Sequence, residues 1–359
     1  MGKRYEHMKT GPRQHAKSAY GHATLHIEDI ARAAGVSVST VSRILNNHRD
    51  VSARTRSRVL EVIDATGYTP HPHARRLASG KSDTIALVYP FTSMQNDDTL
   101  LEFIVAVNEV AEANSFFFNL STRKVTREQL LSIYGAGHVG GIILMQICLD
   151  DWRVEFLKRH EFPFVMIGRT KECEDLWYVD FDFEGMMLSI FDLLVGLGHR
   201  RIGYLARHEA LRAQGFGPAV REMRGYEASL MKHGLASNWV STKANFVSCY
   251  DATRELLRRD PALTAIVTTW GQGATGVIEA LRGARRHIPG DVSVVCSDCT
   301  EKFAQSTFPA VTSIQLPADK LGAAAAQMLV RRLKENPSTP EHLTLLPEVS
   351  VRASTAPAP

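Results

Sequence analysis

Long apolar runs are missing from this sequence. The longest nearly apolar stretch, between Val139 and Leu149, is interrupted by Gln146 and falls well short of the roughly 20 residues that cross a bilayer. A transmembrane helix is thereby excluded. Cysteine is scarce too: five residues, an odd number, lie scattered along 359 positions, which argues against an extracellular disulfide framework. Residues 1–22 hold five Lys or Arg and one Glu but no apolar segment of the kind a secretory signal requires. These absences lead to the expectation of a cytoplasmic protein with no membrane partner. Gly-x-Ser-x-Gly, His-Glu-x-x-His and Gly-x-x-x-x-Gly-Lys-Ser/Thr runs are also absent, which removes the common hydrolase, zinc-protease and P-loop signatures.

What is present is charge, unevenly spread. The formal net charge is +4 from 42 Lys or Arg against 38 Asp or Glu. Residues 1–81 hold 14 basic and 6 acidic side chains, a net of +8, so the remainder holds 28 against 32, a net of −4. Such asymmetry suggests a small basic module for a polyanion attached to a mildly acidic body.

Pattern divides the chain further. Residues 1–23 are polar, basic and aperiodic, and read as a disordered arm. Residues 24–70 read as three short helices. Ile27, Ile30, Ala31 and Ala34 recur at helical spacing before Gly35. Ser37 is placed to cap a second helix with Val38, Val41, Ile44 and Leu45, and Ser52 to cap a third that Gly67 closes. Residues 71–82 are a linker with a short helical stretch, and residues 83–352 alternate short apolar strands with amphipathic helices. Strands are expected near 85–89, 116–120, 141–145, 164–167, 201–205, 265–268 and 292–296, which indicates parallel sheets in an α/β body. Residues 353–359 read as a Pro-containing tail.

Gly35 and the short residues after it sit where a helix-turn-helix places its tight turn and second helix. Val38, Ser39, Ser42 and Arg43 share one face at spacings of three and four, with Thr40 among the small polar residues able to approach DNA. Arg43 offers two donors to one guanine, and hydroxyl side chains reach base edges or phosphates. A basic three-helix bundle taken alone also serves as a protein-docking module; the charge excess and the turn favour nucleic acid.

The run IEDIARAAGVSVSTVSRILN, from Ile27 to Asn46, strongly resembles the N-terminal domain of lac repressor and galactose repressor family transcription regulators. The downstream VSARTR from Val51, GYTP from Gly67, DFDFEG from Asp180, GHRRI from Gly198, RGY from Arg224, PGDVSVV from Pro289 and the pair Leu316 and Pro317 follow in the order the resemblance implies. It implies a headpiece with a hinge helix, then a periplasmic-binding-protein-like body of two α/β subdomains that encloses a small ligand, commonly a sugar or its derivative. It also implies a homodimer on double-stranded operator DNA, with no cofactor and no catalysis. Val38, Ser39, Ser42, Arg43 and Asn46 match positions facing the major groove, and Ser52 and Thr55 match phosphate contacts. Ala74 and Leu77 match the minor-groove hinge helix, where an apolar wedge unstacks a base step; Leu77 would equally serve as a core contact onto the body. His71 and Pro72 depart from the usual start of that hinge.

In the body, Asp298 matches an effector position at a strand end, Phe91, Phe246 and Trp270 are candidates to stack on a ligand, and Arg169 ends a strand facing the same crevice. Each aromatic would equally serve a core, and Arg169 a surface ion pair. The arginine that the resemblance implies three residues before the glycine of Arg-x-x-Gly is replaced by Glu222, and Arg221, one residue earlier, is the sixth effector candidate. Trp270 and Gly271 replace a polar pair, and Leu316 replaces a Gln. These departures point to a ligand read differently from that of the best-known members.

One motif competes. Gly271, Gly273 and Gly276 form a literal Gly-x-Gly-x-x-Gly after an expected strand, with Asp298 22 residues further on, the spacing of a dinucleotide site in a nucleotide-dependent oxidoreductase. Cys296 and Cys299 form a lone Cys-x-x-Cys with no second pair; buried, unreactive thiols are the expectation there, and no metal.

Overall fold

The computed structural model describes residues 25–45, 50–68, 82–90, 99–135 and 137–359. The chain divides into two compact units, residues 1–80 and 81–359. Asn46, Ala74, Leu77 and Phe91, with the arm and the hinge stretch, lie outside the described residues.

In the first unit the described residues form α1 (Ile27–Ala34), α2 (Val38–Leu45) and α3 (Ala53–Thr66). Local chemistry sets each boundary. Gly35 takes a left-handed φ of 59° and donates back to the Ala31 and Arg32 carbonyls, ending α1. The Ser37 hydroxyl accepts from the Thr40 amide at 3.2 Å, and that of Ser52 from the Thr55 amide at 3.2 Å, starting α2 and α3. Gly67, at φ 63°, closes α3. Ile30, Ala34, Val41, Ile44, Val59 and Tyr68 meet in a small core, so most of the apolar positions at helical spacing turn inward, while Val38 stays exposed.

The second unit has two lobes. The first is built on β1 (Thr84–Val88), β2 (Phe117–Ser121), β3 (Gly141–Leu144), β4 (Phe164–Ile167) and β5 (Tyr178–Phe181), with helices α4 (Leu100–Ala113), α5 (Arg127–Gly135) and α6 (Trp152–Arg159). The second lobe holds α7 (Phe183–Gly196), β6 (Ile202–Arg207), α8 (Glu209–Ala213), α9 (Gly217–His233), β7 (Trp239–Thr242), α10 (Phe246–Arg259), β8 (Ala265–Thr268), α11 (Gly271–Gly283), β9 (Ser293–Cys296), α12 (Glu301–Ser306) and β10 (Thr312–Ile314). The chain then returns to the first lobe for α13 (Ala318–Glu335), which packs on α4, and β11 (His342–Leu345), and ends in the second with β12 (Val349–Ser350).

Strand order is β11-β5-β4-β3-β1-β2 in one sheet and β12-β10-β9-β8-β6-β7 in the other. Pairing is parallel except between β10 and β12. Strands such as β3, β4, β8 and β9 are buried at every position, as expected where helices cover both faces of a parallel sheet. Among the described residues the chain passes between the lobes at Asp182, at Leu316 and Pro317, and near Leu346. Three segments thus join the lobes, and the cleft between them lies at the carboxyl ends of the sheets.

The end of the chain differs from the expected tail. Ser354 is fully buried; its hydroxyl donates to the Val294 carbonyl at 2.6 Å and accepts from the Thr312 amide at 2.7 Å. The Ala358 amide donates to the Leu197 carbonyl at 2.8 Å. Residues 353–359 are therefore part of the second lobe: prolines leave no donors of their own, but the Ser354 hydroxyl and the intervening amides knit the segment to β9 and β10.

Candidate functional site

On the headpiece, α2 turns Val41 and Ile44 into the core and leaves Val38, Ser39 and Arg43 exposed, with Thr40 and Ser42 half-buried. Thr40 is committed to the start of the helix, its hydroxyl 2.8 Å from that of Ser37. Arg43 is paired with Asp50, both well exposed, a partner that the sequence reading did not name. Ser52 and Thr55 sit at the start of α3 with their hydroxyls 2.8 Å apart, beside the exposed Arg54 and Arg58. A helix N-terminus with exposed cations beside it is suited to phosphate oxygens.

In the body, a cavity of about 90 Å³ lies between the lobes, with Asp180 and Phe181 contributed by the first lobe and Arg207, Phe216 and Asp298 by the second. Arg207, the last residue of β6, is the centre of its polar wall. Its Nε lies 3.0 and 2.9 Å from the two carboxylate oxygens of Glu222 on α9, and its Nη2 lies 3.1 Å from Asp298 Oδ2. The Tyr204 hydroxyl donates to Glu222 at 3.4 Å. Beneath, the buried Trp270 ring lies 5.5 Å from the guanidinium carbon. Burial works against the Arg207 charge, but the two carboxylates outweigh it and hold its pKa above the ordinary value. Burial also raises Glu222, against the pull of Arg207. One cation thus faces two carboxylates, and Asp298 stands on the cleft wall.

A second cluster joins the lobes. Arg221 of α9 reaches across to donate from Nη2 to the Arg169 carbonyl at 3.0 Å and comes within 3.9 Å of Asp180. Arg169 Nε lies 3.3 Å from the same Asp180 oxygen. Burial pushes the Asp180 carboxyl up to about 6, against the opposing pull of Arg221 and Arg169. Backbone bonds continue the seam: the Leu149 amide donates to the Gly215 carbonyl at 2.7 Å and the Gly217 amide to the Ile147 carbonyl at 3.0 Å. A Cβ on Gly217 would stand 2.5 Å from Arg221 Nη1 and 3.2 Å from the Ile147 carbonyl oxygen, so a side chain there would displace the Arg221 guanidinium.

The six expected effector residues therefore separate. Asp298 lines the cavity; Trp270 is core and supports Arg207 from below; Arg169 and Arg221 sit at the seam; Phe246, 41% exposed at the start of α10, stacks on Tyr250 away from the cavity; Phe91 is outside the described residues. Arg207 was missed. Its one sequence signal is a charge at the end of an otherwise apolar strand, and Glu222, noted as a departure, is its partner.

The glycine motif forms no loop. Gly271, Gly273 and Gly276 occupy the first turns of α11, where added Cβ atoms would meet the Phe303 ring at 3.0 Å, Cys249 Sγ at 2.8 Å and the Phe246 carbonyl oxygen at 2.5 Å. They let α11 pack closely on α10 and α12, which removes the basis of the oxidoreductase reading. Cys296 and Cys299 are buried, and burial raises the Cys296 thiol. Among the described residues there is no group of three or more His, Cys, Asp or Glu that could hold a metal ion, and no helix long and apolar enough to cross a membrane.

A basic helix-turn-helix headpiece joined to a two-lobed α/β body defines a DNA-binding transcription regulator. Residues 26–71 match the model for bacterial regulatory proteins of the lacI family, and residues 191–355 match a periplasmic binding protein-like domain. The chain is 30% identical to the HTH-type transcriptional regulator CelR of Thermobifida fusca, over 91% of this chain and 97% of that one. It is 29% identical to the regulator AglR of Rhizobium meliloti (strain 1021), over 93% and 95%. A solved CelR–cellobiose complex superimposes with a TM-score of 0.67 at 28% identity, covering 92% of this chain and 99% of that one. The chain belongs to the lacI family.

Proposed function

We propose that this protein is a cytoplasmic, homodimeric repressor without enzymatic activity, whose operator affinity is set by a neutral sugar or sugar derivative held between the lobes. The observation that carries the effector assignment is the Arg207, Glu222 and Asp298 cluster on the cleft wall, fixed donors and acceptors beside the apolar Phe181 and Phe216. Hydroxyls would meet the charges, and the C–H faces of a sugar the rings. The similar CelR structure is a cellobiose complex, which supports the same ligand class here.

On the headpiece, Arg43 reads a base, Val38, Ser39, Ser42 and Asn46 lie along the groove, Thr40 starts the helix, and Ser52 and Thr55 hold phosphate. Ala74 and Leu77 form the minor-groove wedge. A ligand changes operator affinity only by its differential affinity for two arrangements of the lobes, and the bonds between residues 147–149 and 215–217 are the contacts such a change would make or break. A thermal-shift screen of neutral sugars tests the assignment: a true ligand at about 100 times its Kd stabilises by about 2.7 kcal/mol, and Asp298→Asn should abolish the shift. A ligand whose shift survives Asp298→Asn binds elsewhere.

A further inference from the structure

The inner cavity, about 90 Å³, is smaller than the roughly 150 Å³ that holds a benzene ring, so a ring-sized ligand enters only when the lobes part. Parting breaks the seam. The backbone half of the seam is an antiparallel bridge between Cys148 and Phe216, flanked by the bonds from the Leu149 amide to the Gly215 carbonyl and from the Gly217 amide to the Ile147 carbonyl. The side-chain half is Arg221, which crosses from α9 to the first lobe and commits Nη2 to the Arg169 and Thr170 carbonyls at 3.0 and 3.4 Å.

Asp180 is the acid beside that crossing, and it is only 3% exposed. Its Oδ1 accepts from the Phe181 amide at 2.9 Å. Its Oδ2 has no hydrogen bond: Arg169 Nε stands 3.3 Å away and Arg221 Nη1 3.9 Å. Cations that approach without a hydrogen bond offset the burial of a carboxylate only in part, because desolvation falls on the charged form. The carboxyl pushed up to about 6 agrees with that geometry. The charged or titratable groups around it are Arg169, Tyr178 and Cys173 in the first lobe, Asp182 and Glu184 at the start of α7, and Arg221 on α9. Arg207 and Asp298 line the same cavity from the second lobe. From β11 the uncharged Thr344 stands opposite Asp180, and His342 stacks on Tyr178.

We propose that the seam is a proton-operated clasp: with Asp180 neutral the lobes hold together, and with Asp180 ionised the cost of its burial is relieved when they part and water reaches the carboxylate. Glu222, the residue next to Arg221, holds Arg207, so one turn of α9 carries both the clasp and the cavity wall. The clasp holds whatever ligand the cleft takes. In the parted state Asp180 returns to the ordinary value of about 4 and binds its proton less tightly than in the clasped state. Clasping is therefore strongest below about pH 4 and is lost as pH rises through about 6.

Hydrogen exchange of the full chain, free of DNA and sugar, reads the seam directly, because the Leu149 and Gly217 amides are released when the lobes part. Each rate is divided by the intrinsic rate at its pH. Protection of both amides should be about tenfold greater at about pH 5 than at about pH 7.5, the ratio given by a carboxyl of about 6 clasped and about 4 parted. The buried β8 amides, Ala265–Thr268, should be protected more than either at both pH values. Asp180→Asn, neutral throughout, should remove the pH difference and hold the seam at its acid level. Arg221→Ala, with folding checked by its melting curve, should lower seam protection by more than it lowers that of β8. Equal protection at the two pH values, the reverse order, or a pH difference that survives Asp180→Asn would overturn the role of the proton. Seam protection that Arg221→Ala leaves unchanged would remove Arg221 from the clasp. Seam amides as well protected as those of β8 would show that the lobes part only on unfolding, and the clasp would fall.

Discussion

The proposed reading gives base recognition to Arg43, which in the free protein is tied to Asp50. The two side chains are 55% and 46% exposed, so the pair belongs to the class of surface ion pairs worth about 0 to 1 kcal/mol. Asp50→Ala should therefore change headpiece stability by less than about 1 kcal/mol. On DNA its effect should be larger than its size suggests: Arg43 no longer has to leave a carboxylate before pairing with guanine, and a negative charge is removed near the phosphates. Specific affinity should rise, by up to about fivefold for each 1 kcal/mol released. Arg43→Ala should do the opposite, costing about 1 to 3 kcal/mol, or roughly 5- to 150-fold, on the specific duplex and much less on a random one. The assay is fluorescence anisotropy on a duplex selected from random sequence, at one fixed salt concentration because phosphate contacts make affinity salt-dependent. Run as a double-mutant cycle, Asp50→Ala should lose most of its sequence-specific benefit once Arg43 is gone. Weaker specific binding by Asp50→Ala would mean that Asp50 orients Arg43 for DNA; equal losses on specific and random duplexes would move Arg43 to the backbone.

Other consequences can be measured on the body alone or in the full chain. Glu222→Ala should cost about 3 to 5 kcal/mol in urea unfolding, because it strips Arg207 of a partner in a site with 0% exposure at Glu222; a loss under about 1 kcal/mol would show that the pair is not needed. Asp180, with its carboxyl pushed up to about 6 by burial, binds a proton more tightly folded than unfolded. Its contribution is thus full below its unfolded pKa of about 4 and is lost as pH rises through about 6. Relative to Asp180→Asn, the parent protein should lose on the order of 2 to 3 kcal/mol of stability between pH 4 and 7; parallel pH profiles would remove the shifted group. Gly276→Ala places a methyl 2.5 Å from the Phe246 carbonyl oxygen and should lower the urea midpoint, by about 1 to 3 kcal/mol in stability. An unchanged midpoint would reopen the question of why glycine stands there.

The headpiece was legible because its signals are local. Gly35, Ser37, Ser52 and Gly67 each set a boundary through a hydrogen bond or φ value within a few residues, and helical spacing marks the core. The buried strands β4 and β8, at Phe164–Ile167 and Ala265–Thr268, announced themselves as short runs of apolar residues. Of the edge strands only β2, at Phe117–Ser121, was expected: β7 and β11 are half-exposed and carry Ser, Thr or His, and β12 is two residues long. Their pairing depends on strands far away in sequence, which no local pattern encodes. β5 was hidden by Asp180, a buried acid whose cost is only partly offset by Arg169 and Arg221 from elsewhere in the chain.

The cleft was legible in outline only. Asp298 was visible as an acid at a strand end, but Arg207 becomes a site residue only when β6, α9 and the loop after β9 converge on it. Glycine spacing misled for a related reason: a helix that packs closely on its neighbours needs glycines as much as a phosphate loop does, and only the Cβ distances distinguish the two.

The central claim is that a small molecule between the lobes sets affinity for DNA, and one titration tests it most directly. A sugar whose thermal shift is abolished by Asp298→Asn is titrated into the protein with and without the selected duplex, and the duplex is titrated with and without the sugar. The account predicts that the sugar changes duplex Kd by some factor and that the duplex changes sugar Kd by the same factor, as linkage requires. A cleft ligand that saturates the protein and leaves duplex affinity unchanged would contradict it.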